Sequence, residues 1–136
     1  MMSAQERRQA LHPEGVPKPI KGYYSNCIKV TSGPLLFIAG QIPIDNDGNL
    51  VGGNDVVAQA RQVFKNIEAI LVGLGGSLQD LVKVTVYVTD IASMHKLAPL
   101  RESLFPTNGP VSACVQVSPL AEPEIQIEIE GVAVVD

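Results

Sequence analysis

Strict alternation is clearest near the end of the chain, where Ile125, Ile127 and Ile129 interleave with Glu124, Gln126, Glu128 and Glu130. A period of two puts the isoleucines on one face of a strand and the polar side chains on the other. The pattern predicts a strand from Ile125 to about Val134 with one face on a core. Val82–Val88 alternates in the same way and is β-branched, and Val111–Val117 reads as a further strand. Upstream, Cys27–Val30 and Leu35–Ile38 flank Ser32-Gly33-Pro34 and predict a hairpin. Gly40-Gln41-Ile42-Pro43 ends the second of these strands, and Asp45-Asn46-Asp47-Gly48 has the composition of a tight turn.

Between about Asn54 and Leu74 the period lengthens. Val56, Ala60, Val63, Ile67, Ile70 and Leu74 recur at spacings of three and four, while Arg61, Lys65 and Glu68 fall on the opposite side. This is an amphipathic helix, capped by Asn54 or Asp55 and stopped by Gly75-Gly76. Ser77–Leu81 reads as one capped turn. A second helical segment runs from a cap at Asp90 to Phe105, with Pro99 inside it. An interior proline costs about 3 kcal/mol, which predicts a kink there, or a restart with Pro99 in the first turn. Residues 1–21 begin charged and are then broken by proline and glycine, so they read as an arm on a domain of residues 22–136. The order β β (β) α β α β β is that of an α+β domain. Two helices cover one face of a sheet with this many strands, so the other face meets solvent or another subunit.

Composition sharpens that choice. The chain has 136 residues, one domain's worth, of which 46% are apolar, with a mean hydropathy of +0.19. A subunit interface is the natural place for the surplus. The formal net charge is −4, aromatics are 4%, and no basic stripe is present. Phosphate neutralisation and base stacking both lack their raw material, so nucleic acid is not the expected partner. Cys27, Cys114, His12 and His95 have no metal-ligand spacing and predict no metal; the two cysteines read as free thiols of a reducing compartment. Met1–Leu11 lacks an apolar signal region, and no apolar run approaches the ~20 residues that span a bilayer. The expectation is a cytoplasmic protein without a membrane partner.

Several catalytic motifs are absent: there is no G-x-G-x-x-G, no P-loop and no G-x-S-x-G elbow. His95 reads as a solvated helix residue, and His12 lies in the arm. The acidic side of the last strand has two readings. It is a solvent-facing surface, or it places one glutamate in a partly buried cleft suited to acid–base work.

Six blocks, in order along the chain, carry a resemblance. They are Gly22-Tyr23-Tyr24-Ser25, Ile38-Ala39-Gly40-Gln41-Ile42-Pro43, Ala58-Gln59-Ala60-Arg61-Gln62 with Asn66-Ile67, Val82–Asp90, Cys114-Val115-Gln116-Val117 and Ile127–Ala133. Together they cover roughly residues 22–135 and resemble the RidA (YjgF) family. The resemblance implies a chorismate-mutase-like α+β domain, a mixed sheet with two helices on one face. It also implies a homotrimer around a central β-barrel, with small-molecule clefts between subunits. It implies hydrolysis of reactive enamines or imines to a 2-oxo acid and ammonia, without a cofactor. Position by position, Tyr24 resembles the family's cleft tyrosine. Ala39-Gly40 resembles a pair whose backbone donors face the ligand, Cys114 a cleft cysteine, and Glu128 the glutamate that positions water or moves a proton.

The sequence departs from the family at one decisive place. The family's carboxylate-pairing arginine stands two residues before the cysteine, and here that position is Ser112 in Pro110-Val111-Ser112. A cleft asparagine on the second helix aligns with Ala98, the loop from Phe105 to Pro110 is shorter, and a residue is inserted near Pro123. A guanidinium grips a carboxylate with two parallel charge-assisted bonds where a hydroxyl offers one neutral donor. Arg101 lies one helical turn after Ala98 and shares its face, so Arg101, with Lys96, is the candidate replacement cation. Two functions fit. One is a hydrolase for an enamine or imine of altered shape, such as an unsaturated amino acid from ring cleavage. There Glu128 activates water, Ala39-Gly40 and Ser112 orient the substrate, and Tyr24 closes the cleft. The other is a binder or regulator that keeps the cleft without the chemistry. A nuclease fits the acidic charge least.

Overall fold

The helical period after Asp55 is realised as α1, Val56–Gly73, in the computed structural model, which describes residues 6–136. Asp55 caps it, its Oδ1 accepting from the amides of Val57 (2.9 Å) and Ala58 (3.3 Å). Gly75, at φ +82°, turns the chain away, and the Gly76 amide returns to the Leu71 carbonyl at 2.8 Å. Val56, Ala60, Val63, Ile67 and Leu71 are buried, and Phe64 joins them. Leu74, expected on this face, lies past the helix end and is exposed. Gln59 is buried too: its side chain donates to the Gly53 and Glu124 carbonyls and accepts from the Gln126 amide, each at 2.8 Å. That spans the join between helix and last strand.

Four strands form the main sheet: β3 (Leu35–Gln41), β4 (Leu81–Val88), β5 (Val111–Gln116) and β6 (Ile127–Val134), ordered β3-β6-β4-β5. β4 and β5 are parallel, joined through α2 (Ser93–Leu104), and the other pairs are antiparallel. The sheet is therefore mixed, as expected. Ile127 and Ile129 pair with Val88 and Val86 and are buried beneath the helices with Val84, Ile38 and Leu97. Pro99 stands inside α2 without restarting it. Packing offsets its cost, since Leu97 is buried on one side and Phe105 meets Phe64 edge-on at 5.9 Å on the other. Asp90 opens the turn before this helix by accepting from the Ala92 amide at 3.0 Å.

Two expectations are corrected. Cys27–Val30 (β2) and Leu35–Ile38 do not form a hairpin. β2 pairs with Arg8–Leu11 (β1), while β3 pairs with β6, Leu35 opposite Val134 and Phe37 opposite Val132. Between them Gly33, at φ +103°, leaves room for the Arg7 side chain, whose Nε would lie 2.9 Å from a Cβ there, and Arg7 is ion-paired with Asp136. The stretch read as an arm thus contributes a strand. Arg8 extends that anchorage, donating to the Leu81 carbonyl at 2.7 Å and the Asn108 carbonyl at 2.9 Å.

The second face of the sheet carries no helix. Phe37 is 75% exposed and Leu35 50%. Val111, Ala113 and Val115 of β5 lie on the same side, opposite Lys83, Thr85 and Tyr87 in register. Core packing under α1 gives the prediction for this level. Ile67 is fully buried, so Ile67→Ala should cost about 2–5 kcal/mol in urea unfolding at fixed protein concentration. A loss below about 1 kcal/mol would contradict the packing described.

Candidate functional site

Glu128 sits at the centre of the uncovered face, opposite Tyr87 in the β4–β6 ladder. β3 carries a bulge beside it: the register passes from Ile38 opposite Gly131 to Gln41 opposite Ile129, so Ala39 and Gly40 together oppose one residue. A bulge re-aims backbone groups, and here it brings Gly40 against the glutamate. A Cβ on Gly40 would collide with Glu128 Oε2 and lie 2.9 Å from its Cδ. Ala39, Gly40 and Glu128 are thus brought together within one protomer. Next to them the Tyr87 hydroxyl donates to Glu130 Oε1 at 3.1 Å, and this bond holds the Tyr87 phenol above its ordinary pKa.

A second cluster forms at the opposite edge. Ser112 and Cys114 on β5 pair with Val84 and Val86, so their side chains point to the helix side. There Arg101 of α2 reaches them. Its Nη2 donates to Ser112 Oγ at 2.7 Å, and its guanidinium lies 4.6 Å from the centre of the Tyr23 ring. Arg101 is 7% exposed, and burial lowers its pKa. Burial pushes the Cys114 thiol up, and the neighbouring Arg101 charge opposes this more weakly. Lys96, suggested beside Arg101, remains exposed.

Tyr24 stands apart from both clusters. Its hydroxyl accepts from the Ile20 amide at 3.1 Å, and it borders a cavity of about 250 Å³ with His12, Lys18 and Lys21. The ring on Arg101 belongs to its neighbour Tyr23, packed edge-on to Tyr24 at 5.5 Å. Sequence reasoning singled out Tyr24 alone; the adjacent pair Tyr23-Tyr24 was the signal available for the second. Glu128 and Arg101 cannot meet within one protomer, because they project from opposite faces of the sheet. Among the described residues, no group of three or more His, Cys, Asp or Glu could hold a metal ion, and no helix is long and apolar enough to cross a membrane.

Comparison with known proteins bears on the family and the fold. Residues 15–135 match the model of the family described as Endoribonuclease L-PSP. A RutC family protein of Pyrococcus horikoshii is 44% identical over 127 residues, 93% of this chain and 97% of the relative. A 3-aminoacrylate deaminase RutC from Acinetobacter baylyi is 31% identical over 126 residues, 93% of this chain and 97% of the relative. Among solved structures, the Rid-family protein YyfB of Yersinia pestis superposes with a TM-score of 0.88 at 30% identity, covering 95% of this chain and 99% of that one.

The thiol offers a direct check on the buried cluster. With Cys27 replaced by Ser, alkylation of Cys114 by iodoacetamide should follow an ionisation above that of a free thiol, and Arg101→Met should move it higher still. An inflection at or below the free-thiol value would contradict the burial described.

Proposed function

The chain belongs to the Endoribonuclease L-PSP family, which includes a 3-aminoacrylate deaminase, and on that premise we propose that it hydrolyses a small enamine or imine to an oxo acid and ammonia. The observation that carries this reading is the Glu128 carboxylate lying against the glycine of the β3 bulge, on a sheet face without a helix. In the proposed reaction the substrate reacts as its iminium, which an enamine reaches by taking a proton from solvent at carbon, and Glu128 takes a proton from water as the water oxygen adds to the C=N carbon. Glu128 returns that proton to the carbinolamine nitrogen, the C–N bond breaks, and the hydroxyl proton passes back to Glu128 and on to solvent as C=O forms and ammonia leaves. Backbone groups of Ala39-Gly40 orient the substrate, and Tyr24, which lies away from Glu128 within one protomer, takes no part there. No redox step or external electron carrier is required.

The opposed clusters make a second copy part of the proposal. A substrate touching both Glu128 and the Ser112–Cys114 edge must lie between two protomers. Exposed Phe37, Leu35 and Val115 supply apolar surface for such an interface, and a closed homotrimer with a central β-barrel satisfies it. Ribonuclease action fits poorly with a net charge of −4 and 4% aromatic residues.

Ammonia release tests the reading, with imines generated in place by an amino-acid oxidase. Glu128→Gln should lower turnover by about 100-fold or more, and Gly40→Ala should do the same by displacing the carboxylate. Wild-type release no faster than buffer would overturn the enzyme reading and leave a non-catalytic binder. RNA cleavage by the wild type, absent in Glu128→Gln, would overturn it in favour of a nuclease.

A further inference from the structure

We infer that the hollow between the loop of residues 12–24 and the turn of residues 106–109 binds the phosphoryl group of a small phosphomonoester, with Lys18 and Lys21 as its charged contacts. It shares no residue with the Glu128 face or the Arg101 cluster, so it stands apart from the deaminase reading.

The hollow has a volume of about 250 Å³, and His12, Lys18, Lys21, Tyr24, Thr107 and Asn108 give it its polar lining. No aspartate or glutamate lines it, in a chain whose net charge is −4. Among the described residues Lys18 makes no ion pair, and Lys21 makes one exposed pair with Glu102 at 3.3 Å. A pair of that kind is weak, so an anion can draw Lys21 from it. Basic groups gathered about one hollow repel one another, and an anion between them removes that cost.

The walls are held in place by the protein itself. Gly22 lies so close to Pro106 that a Cβ would collide with its carbonyl oxygen, and the Gly109 amide donates to the Gly22 carbonyl at 2.9 Å. Ser25 Oγ adds a bond to the Gly109 carbonyl at 2.6 Å. The loop is tied on either side of Lys18: Asn26 Nδ2 donates to the Pro17 carbonyl at 2.7 Å, and the Ile20 amide donates to the Tyr24 hydroxyl at 3.1 Å. Pro17 and Pro19 flank Lys18, and their fixed φ angles restrict its backbone further. Both lysine side chains are exposed, but the backbone positions from which they reach are set. Because the Tyr24 hydroxyl accepts from Ile20, its own proton is free to be donated, and Thr107 offers a second hydroxyl.

The donor set selects the anion. Ammonium groups are compact point charges, and two of them with hydroxyl donors suit a tetrahedral dianion, whereas a flat carboxylate is best gripped by a guanidinium fork. No guanidinium lines this hollow. Arg8 lines the adjoining cavity that shares Thr107 and Asn108, and donates to the Asn108 carbonyl at 2.9 Å. Pockets for drug-sized ligands begin at about 300 Å³, so the space here fits a phosphoryl group on a short stem. Tyr24 is the one aromatic ring in the lining, which gives a polynucleotide no stacking platform.

Titration calorimetry on the full-length protein tests this, with glycerol phosphate as the probe and acetate and a single-stranded RNA oligonucleotide as controls. Glycerol phosphate should bind, and acetate should bind at least tenfold more weakly. Lys18→Gln combined with Lys21→Gln should raise the glycerol phosphate Kd at least tenfold, and the corresponding pair of arginine substitutions should recover most of the loss. Glu102→Gln, which releases Lys21, should leave Kd unchanged or lower it. Lys29→Gln combined with Lys65→Gln removes the same charge elsewhere and should leave Kd within about twofold. No binding by the wild type at about 10 mM, an unchanged Kd without Lys18 and Lys21, an equal loss without Lys29 and Lys65, or binding of acetate or RNA as tight as that of glycerol phosphate would overturn the inference. Glu128→Gln should bind glycerol phosphate as the wild type does. Ammonia release by a wild type that does not bind glycerol phosphate would sink this site and leave the deaminase reading standing. Binding that depends on Lys18 and Lys21, in a wild type that releases no ammonia, would do the reverse.

Discussion

A sheet is a partition, and the deaminase reading of this protein depends on which side of it each group lies. β6 runs between β3 and β4, and its period of two sends Ile127 and Ile129 under the helices while Glu128 and Glu130 face the other way. A slip of one residue would bury the glutamates and expose the isoleucines. The apolar requirement of the core therefore fixes the orientation of the candidate acid–base residue. Stability and chemistry are set by one register.

The same partition divides the charges. The carboxylate stands on the open face beside a bulged strand, and the guanidinium stands on the helix side beside the far edge strand. Neither cluster alone offers both proton transfer and charge recognition. In the assembly proposed above, bringing them together would cover Phe37 and its apolar neighbours at the same time, so that one interface would both bury surface and complete a site. In this account Ser112 marks a change in where the cation comes from, with the cation itself retained in Arg101.

Much of this was legible in the residues because it is local. The helix of α1, its cap at Asp55, the stop at Gly75-Gly76 and the two-faced last strand all follow from periods and capping chemistry within about 20 positions. Strand pairing is not local. Leu35–Gln41 finds its partner nearly a hundred residues later in β6, and Ser32-Gly33-Pro34 looks like a hairpin turn because nothing nearby reveals the Arg7 side chain that packs there. Arg8–Leu11 has no apolar period and so leaves no strand signal. At the site, helical spacing was enough to point from Ala98 to Arg101. It could not show that Tyr23, from a distant loop, provides the ring on which the guanidinium rests.

The central claim is that a working site takes its carboxylate from one protomer and its cation from the next. Joint refolding of equal amounts of Glu128→Gln and Arg101→Met proteins tests it most directly. Each is impaired alone, but random mixing in a closed head-to-tail ring should restore intact sites to about one quarter of the wild-type number, read as ammonia release. A mixture no more active than the mean of the two parents would contradict the claim.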